Sequence, residues 1–289
     1  MKEETDSRLH ERESAFHDEW AQNTKLEEVD IDSAFEAITA PEHKHILDVI
    51  GNIKGKRIAD IGCGLGEASI YFAKQGAHVT AIDLSPEMVK FAKRNAEELG
   101  LSLEGFACAA ESIELPESSY DVAYAGNLIH HIQDKDQFYR GIYRILKPGG
   151  LFIAWDPLKY NPIIEVYRMK ATEVRTEDEA PLGYADLKEA KKYFPNLQHK
   201  EFWFFTLALF LKYFLFNRYD VNQTRYWKRI LKETDDTIGW WFKPLAALDR
   251  YILSLPLVRF LAWNMVQWGN KPEVGSSTHS SHGPESFES

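Results

Sequence analysis

Three glycines spaced as G-x-G-x-G form the part of the sequence most suggestive of ligand binding. Gly62, Gly64 and Gly66 stand in the segment DIGCGLG, residues 60–66, between a predicted strand and a predicted helix. Glycines at such a turn let the backbone bend tightly, and a ligand can approach without side chains in the way. The spacing differs from the G-x-G-x-x-G of dinucleotide-binding loops. The pattern therefore predicts either a nucleotide-like ligand or a structural turn without one.

Two carboxylates near this loop narrow the kind of ligand. Asp83 ends the second predicted strand, about twenty residues beyond the loop, where a carboxylate can bind both hydroxyls of a ribose. Asp60 ends the first strand, where it would attract the ammonium of an amino-acid portion and repel a pyrophosphate. The loop lacks the Lys-Ser or Lys-Thr pair of a P-loop. These residues favour a nucleoside that carries an amino acid over a nucleoside triphosphate or a dinucleotide.

Alternating strands and helices must position these residues. We expect strands at Arg57–Ile61, His78–Ile82, Leu103–Cys108, Asp121–Ala125 and Leu151–Trp155, and helices at Glu67–Lys74, from Ser85 to Leu99, and at Gln137–Leu146. Ser85 is the expected N-cap of the second of these helices, with Pro86 at its first position. Repeated βα units of this length predict an α/β fold with a mostly parallel sheet and helices on both faces.

The rest of the chain is less regular. The first fifteen residues are polar and are expected to be mobile or loosely helical, and a helix opens at Pro41. After residue 156 we expect helices at Ile163–Val174 and Leu187–Tyr193, a sixth strand at Lys200–Leu207 and a last strand at Trp263–Asn270. The residues from 273 to the end are rich in serine and lack lysine and arginine, which is typical of a disordered tail.

The motifs of residues 40–156 resemble those of class I methyltransferases that use S-adenosylmethionine (SAM), in the branch of small-molecule and quinone-biosynthesis enzymes. The resemblance is carried by IADIGCGLG at 58–66, AIDLSPEM at 81–88, YDV at 120–122 and LKPGG at 146–150. It implies a Rossmann-like, seven-stranded, mostly parallel sheet whose last strand is antiparallel. The sequence itself adds a predicted helical insertion before that strand, over residues 206–262. SAM is the implied cofactor, bound across the carboxyl ends of the strands.

The resemblance also implies which residues bind SAM. The glycines would face the methionine portion, Asp83 the ribose, Leu84 and Met88 the adenine, and Asn127 the methionine portion and the substrate. The family often has an aspartate where this chain has Ala109, so the adenine amine would be contacted by backbone or by Glu111. The full implied set is Asp60, Gly62, Gly64, Gly66, Asp83, Leu84, Met88, Ala110, Glu111 and Asn127.

His130 and His131 are the candidate catalytic residues. Methyl transfer is an in-line displacement in which the protein mainly positions the acceptor, and a base is needed only where the acceptor loses a proton. The two histidines follow the fourth strand, where the substrate would lie, and a histidine titrates near ~6.5. The alternative is that they cap or pack the following helix. His17 and Asp18 belong either to a lid helix over the cofactor or to ordinary packing.

Composition excludes several other classes. The net charge of −10, and Gly126-Asn127-Leu128 in place of an Asn-Pro-Pro-Tyr turn, argue against a nucleic-acid substrate. The HExxH, CxxC and EF-hand spacings do not occur, so we predict no metal. Cys63 and Cys108 cannot form a disulfide framework, and no apolar run reaches the ~18 residues of a membrane span. We therefore expect a cytoplasmic protein, for which contact with a membrane is open only at the membrane surface.

The segment 206–262 carries the clues to the substrate. It has twelve aromatic residues, and nine Lys or Arg against five Asp or Glu, in a chain that is acidic overall. Such a segment can form the core of a helical cap, a lid over a bulky substrate, or a contact with a lipid interface. A lid or an interface contact favours a small, lipophilic acceptor, such as a prenylated, quinone-like or polyketide compound.

These observations divide the chain into five parts. We expect a helical lid region over 1–55, a SAM-binding domain over 56–205, an aromatic insertion over 206–262, the last strand within 263–272 and the tail over 273–289. The expected function is methylation of a small acceptor at O, C or N. One alternative is a regulatory or scaffolding protein that binds SAM without catalysis. An NAD-dependent oxidoreductase is disfavoured by the loop spacing and by Asp60.

Overall fold

A computed structural model describes residues 2–173 and 179–273 of the chain, with side chains from Arg8 onward. Its strands are β1 Arg57–Ile61, β2 His78–Asp83, β3 Glu104–Ala107, β4 Tyr120–Gly126, β5 Leu146–Pro157, β6 Gln198–Phe202 and β7 Asn264–Asn270. Its α-helices are α1 Lys2–Asn23, α2 Ile31–Glu36, α3 Pro41–Ile50, α4 Glu67–Lys74, α5 Pro86–Glu98, α6 Lys135–Ile145, α7 Pro162–Lys170, α8 Leu187–Tyr193, α9 Ala208–Leu211, α10 Tyr226–Arg229 and α11 Trp240–Ile252.

The strands form one sheet in the order β3-β2-β1-β4-β5-β7-β6. Strands β1 to β5 pair in parallel, and β7 runs antiparallel to both β5 and β6. This confirms the predicted seven-stranded, mostly parallel, Rossmann-like sheet. The strand order reverses between β1 and β4, and open sheets of this kind bind ligands outside the carboxyl ends of the strands at that point.

Helices cover both faces of the sheet because successive strand residues point to opposite sides. Ile58 and Ile153 belong to one buried cluster, and their neighbours Ala59 and Phe152 belong to the other. Burial on both sides explains why the central strands are almost continuously apolar. The carboxyl edge of a sheet anchored in this way is a rigid platform for the loops that follow each strand.

The bounds predicted for β1, α4 and α8 agree with the structure, whereas the sixth strand was predicted too long. Strand β6 ends at Phe202 because Trp203 takes a left-handed conformation, with φ of +68°. The carboxylate of Asp249 then accepts hydrogen bonds from the backbone N–H groups of 204, 205 and 206. A buried carboxylate distant in sequence thus terminates the strand, and the local pattern did not indicate it.

The N-terminal residues were predicted to be mobile or loosely helical, but α1 is a continuous helix from Lys2. It packs on the start of α5, where the carboxylate of Asp18 accepts hydrogen bonds from the Ser85 hydroxyl and from the backbone N–H of Glu87. This tertiary contact compensates for the weak apolar pattern. The predicted helix to residue 174 ends at Lys170, and the predicted tail lies outside the described residues except for Glu273.

Replacing Gly64 or Gly66 by alanine tests which of these two glycines is required by packing. A Cβ on residue 66 would lie 2.6 Å from the Cβ of Ala92, whereas one on residue 64 would meet no atom within 4 Å. Both glycines have positive φ, so alanine costs about 1–2 kcal/mol of backbone strain at either position. Overpacking against α5 adds about 1–3 kcal/mol in Gly66→Ala. We expect urea unfolding to show the larger loss in Gly66→Ala; equal losses would contradict this packing role.

Candidate functional site

A deep cavity opens at the carboxyl ends of β1, β2 and β4. It encloses about 1540 Å³, counting the solvent at its mouth. The loops after the first four strands form its floor, and α1 and α10 contribute residues to its cover. The cavity therefore lies at the edge of the sheet where open α/β sheets bind their ligands.

Most of the predicted site residues line this cavity. They are Asp60, Gly62, Gly64, Asp83, Leu84, Ala110, Glu111, Asn127 and His131. Three others do not line it. Gly66 packs against Ala92, Met88 is fully buried among apolar side chains, and His130 faces Asp156. For these three residues, the structure places the side chain or the Cβ position in the protein interior.

The three loop glycines have different surroundings. All have positive φ, at +73°, +52° and +88° for Gly62, Gly64 and Gly66. A Cβ on Gly62 would lie 2.8 Å from a methyl group of Leu128, so packing as well as conformation requires glycine there. Only Gly64 combines positive φ with open space. A ligand can therefore approach the backbone most closely at Gly64.

Asp83 joins the glycine loop to the second strand. One carboxylate oxygen accepts a hydrogen bond from the Gly64 N–H at 2.9 Å, and the other accepts from the Ser85 N–H at 2.9 Å. Burial raises the pKa of this carboxyl, although the neighbouring His17 opposes the effect. A carboxylate has about four acceptor positions, so two remain for a ligand. Asp83 can thus bind a diol while it holds the loop.

Asp60 lies beneath the loop as a second, more deeply buried carboxyl. It lines the cavity and accepts a hydrogen bond from the Ser69 hydroxyl at 2.5 Å. Burial raises its pKa to about 7, and the hydrogen bond from Ser69 only partly offsets this. A positively charged group in the cavity would favour the ionised form. The site therefore suits a ligand with a cationic end.

Glu111 lies where the resemblance places the adenine amine. Its carboxylate accepts a hydrogen bond from the backbone N–H of Gln133 at 3.3 Å and lies 3.9 Å from the Nε2 atom of His10. Ala109 and Ala110 line the cavity beside it and contribute only backbone polar groups. Glu111 is thus held by the loop after β4 and by α1, and its side chain is available as an acceptor.

Helix α1 covers the cavity with a row of polar side chains. His10, Glu13, His17 and Trp20 line it, and the Glu13 carboxylate is paired with the Nδ1 atom of His131. Burial opposes ionisation of both groups, but their mutual attraction wins and lowers the pKa of Glu13 while it raises that of His131. The sequence suggested a lid at His17 and Asp18, but gave no sign of the Glu13 pair.

Trp20 connects helix α1 to the aromatic insertion. The Arg225 guanidinium lies 3.6 Å from its ring centroid and the Lys228 ammonium 4.8 Å from it. Trp227 meets it edge to face, and both Trp227 and Lys228 line the cavity. Cation–π contacts of this kind hold α1 and the start of α10 together above the cavity.

His130 is buried, and its Nδ1 atom lies 2.8 Å from a carboxylate oxygen of Asp156. The same oxygen accepts the backbone N–H of His130 at 3.1 Å. Burial raises the pKa of Asp156 to about 8. The ring centroids of His130 and His131 are 4.0 Å apart. His130 therefore supports His131, which is the one that faces the cavity.

Within the described part of the chain, His130, His131 and Glu179 form a group that could hold a metal ion. One potential ligand atom from each lies within 4.8 Å of the others. Residues so far apart in sequence give no motif. The pairing with Glu13 favours a protonated His131, which competes with metal binding. The absence of a metal stays a prediction.

Sequence reasoning missed the residues on the β5–β7 side of the cavity. Glu42 and His43, at the start of α3, line this wall together with Trp155 and Asn264. In the sequence, Glu42 and His43 precede the Rossmann core, whereas Asn264 follows it. Only the closure of β7 beside β5 brings them together, so no local motif could indicate them.

Comparison with known proteins identifies the domain. Residues 59–154 match the sequence model of a family described as a methyltransferase domain. This segment is a class I methyltransferase domain. The predicted family is thereby confirmed, and with it SAM as the family's cofactor.

Three curated relatives illustrate the range of similar enzymes. The chain is 34% identical over 132 residues to phosphoethanolamine N-methyltransferase 3 of Arabidopsis thaliana, covering 44% of this chain and 27% of that protein. It is 38% identical over 141 residues to a ubiquinone biosynthesis O-methyltransferase of Aeromonas salmonicida (strain A449), covering 46% and 59%. It is 32% identical over 121 residues to a sterol 4-C-methyltransferase of Caenorhabditis elegans, covering 41% and 36%. The chain thus spans less than two thirds of each relative.

Solved structures support the fold. Phosphoethanolamine N-methyltransferase 2 of Haemonchus contortus, in complex with SAM, has a TM-score of 0.53 at 20% identity, over 81% of this chain and 53% of that one. The YcgJ protein of Bacillus subtilis has a TM-score of 0.53 at 17% identity, over 80% and 97%. At these identities the likeness establishes the fold alone.

The Glu13–His131 pair makes the attachment of α1 above the cavity depend on pH. Glu13 contributes stability above pH 4.5, which is lost as pH falls through its lowered pKa; His131 contributes below pH 6.5, which is lost as pH rises through its raised pKa. We expect Glu13→Gln to cost about 1.5–3 kcal/mol of unfolding free energy at pH 6 and less at pH 9. Glu19→Gln, exposed on the same helix, is the control. A cost that does not change with pH would rule the pair out.

Proposed function

We propose that this protein transfers the methyl group of SAM to a small, lipophilic acceptor at oxygen, nitrogen or carbon. One observation carries the proposal: Asp60, Gly64 and Asp83 meet in one covered cavity at the strand ends of a methyltransferase domain. The acceptor would lie beside the cofactor, against the apolar side chains that line the same cavity. The chain spans only part of its relatives, and their substrates differ, so the acceptor class is inferred from the cavity.

The residues present fit SAM. The Asp60 carboxyl would take the ammonium of the methionine portion, the free acceptor positions of Asp83 the ribose diol, and the open backbone at Gly64 the chain between them. Leu84, with Glu111 or the backbone beside it, would border the adenine. Bound SAM supplies a methyl group on a sulfonium, which is reactive without help from a metal or a protein nucleophile.

The protein then has to orient the acceptor and exclude water. Helix α1 and the insertion cover the cavity through Trp20 and its cationic partners. Asn127, with φ of +55°, turns the chain after β4, and it lines the cavity. The loop after β4 would therefore border the space between SAM and the acceptor. Alignment of two bound reactants in a closed site is the main source of acceleration for a displacement of this kind.

His131 is the proposed proton acceptor where the acceptor group must lose a proton. It is the histidine of the predicted pair that lines the cavity, and the ring of His130 supports it from behind. Because its pKa is raised, His131 is a stronger base. For the same reason, the neutral ring that can accept a proton forms only at a higher pH. His130, held by Asp156, acts as a positioning residue.

The acceptor wall favours a lipophilic molecule. Phe35, Trp155, Trp263, Ile230 and Leu231 line the cavity away from the glycine loop. Aromatic and aliphatic walls bind apolar surface and give little compensation for a buried charge. This supports an acceptor with an apolar body and few polar groups.

Replacing Asp83 tests the cofactor site. Asp83→Asn removes the charge that would bind the ribose diol, and hydrogen bonds to charged groups contribute about 1.5–3 kcal/mol, or roughly tenfold to 150-fold in affinity. We expect calorimetry to show that loss for SAM and for S-adenosylhomocysteine, with no binding of NAD to either protein. Asp121→Asn, whose carboxylate pairs with Lys147 at the other end of β4, should bind normally. Binding of NAD alone would refute the proposal.

The insertion suggests a route for a lipophilic acceptor from a membrane surface. Eleven large apolar side chains between 205 and 261 are exposed, including Phe216 at 82%, Trp240 at 80% and Leu257 at 84%. Arg218 and Arg250 are exposed in the same segment. Apolar side chains with basic neighbours suit the interface of an anionic bilayer. None of the helices in the described ranges has the length and apolar character to cross a membrane.

Vesicle flotation tests this contact. We expect the protein to float with phosphatidylcholine vesicles that contain phosphatidylglycerol, and the double variant Phe216→Ser, Leu257→Ser to bind at least about tenfold more weakly, because burying each side chain contributes about 1.5–3 kcal/mol. Leu99→Ser with Phe106→Ser removes two apolar side chains outside the segment that are 53% and 50% exposed, and is the control. No flotation of the wild type at low salt would refute the contact.

A further inference from the structure

A group of three polar residues lies in the apolar wall of the cavity. Glu42 is buried, and its carboxyl accepts hydrogen bonds from the Trp203 indole N–H at 2.8 Å and from the Asn264 side-chain amide at 3.0 Å. His43 follows Glu42 in the first turn of α3. All three members of the group, Glu42, His43 and Asn264, line the cavity. None of them belongs to the predicted SAM site.

Two polar atoms of this group are buried without a hydrogen-bond partner. They are the Nδ1 atom of His43, which is 8% exposed, and the Oδ1 atom of Asn264, which is 1% exposed. Folded proteins satisfy nearly all buried polar atoms, so such atoms need an explanation. Since both belong to one cavity wall, a ligand is the natural partner.

The chemistry of the two atoms defines the ligand group. The amide of Asn264 donates to Glu42, so its Oδ1 atom is left as an acceptor. Burial lowers the pKa of His43 to about 4, so the ring is neutral and its Nδ1 atom accepts or donates according to the tautomer. An uncharged hydroxyl or amino group can donate one hydrogen bond and form a second in either direction. Such a group has the donor and the second hydrogen bond that the two atoms require.

The surroundings of the two atoms are mainly aromatic. The ring of His43 lies 5.1 Å, between centroids, from those of both Phe35 and Trp155. Trp263 lines the same wall. These rings provide apolar surface around the two polar atoms. The wall is thus built to hold an apolar body that presents one polar group.

We propose that Glu42, His43 and Asn264 form the recognition site for the acceptor, which presents an uncharged hydroxyl or amino group to His43 Nδ1 and Asn264 Oδ1. Glu42 is a positioning residue that fixes the Asn264 amide. The inference rests on the proposed function only in naming this ligand the methyl acceptor. Recognition of the polar group by this wall stands independently of catalysis.

Matched aromatic probes test the site. We would measure binding of 1-naphthol, 1-naphthylamine and naphthalene to the full chain saturated with S-adenosylhomocysteine, by quenching of tryptophan fluorescence. The wild type should bind naphthol or naphthylamine at least about tenfold more tightly than naphthalene. In His43→Phe the preference should fall to about one, because the ring is kept and its nitrogens are lost.

His45→Phe is the matched control. His45 lies on the same helix, packs against Phe202 and Trp268, and also has a buried ring nitrogen without a partner, but it does not line the cavity. Its replacement should leave the preference unchanged. His43→Met, which keeps an apolar side chain of similar size, replaces His43→Phe if circular dichroism shows that the latter is unfolded.

Three results would overturn the site. They are a wild type that binds neither naphthol nor naphthylamine more tightly than naphthalene, a preference that survives in the His43 variants, or an equal loss in His45→Phe. If S-adenosylhomocysteine binds and the preference is absent, this inference fails and the proposed function stands. If the cofactor does not bind, the proposed function fails, and the same probes still test the wall in the protein alone.

Discussion

The carboxylate of Asp83 holds the site together. It accepts the N–H of Gly64 from the glycine loop and the N–H of Ser85 from the start of α5. The Ser85 hydroxyl in turn accepts the N–H of Met88, which caps α5, and donates to Asp18 of the lid helix. One chain of hydrogen bonds thus connects the cofactor loop, the second βα unit and the cover. The ligand would complete this chain, because Asp83 keeps acceptor positions that face the cavity.

Contacts of charged side chains hold the cover of the cavity in place, whereas the backbone of the loops after the strands forms its floor. Glu13 pairs with His131 in the turn after β4, and Trp20 lies under Arg225 of the insertion. Helix α1 is thus held over the cavity through charged groups. Contacts of this kind are reversible at modest cost, unlike the buried sheet beneath them.

Sequence patterns predicted the parts of the molecule in which local and tertiary preferences agree. The alternation of strands and helices predicted the sheet. The structure also places Asp60, Gly62, Gly64 and Asp83, all predicted as site residues, in the lining of one cavity. Sequence spacing did not show that Gly66 is required by Ala92, whereas Gly64 faces open space, because that difference depends on packing between helices. The end of β6, terminated by Asp249, was missed for a similar reason. The acceptor wall was also missed, since His43 and Asn264 meet only after β7 has inserted beside β5.

The central claim is that the covered cavity transfers a methyl group. The most direct measurement is incubation of the full chain with methyl-labelled SAM and whole-cell lipid and aqueous extracts, followed by identification of the labelled product. The account predicts label in a compound of the lipid extract, with none formed by heat-inactivated protein. SAM that binds while no compound in either extract becomes labelled would contradict it and favour a protein that only binds the cofactor.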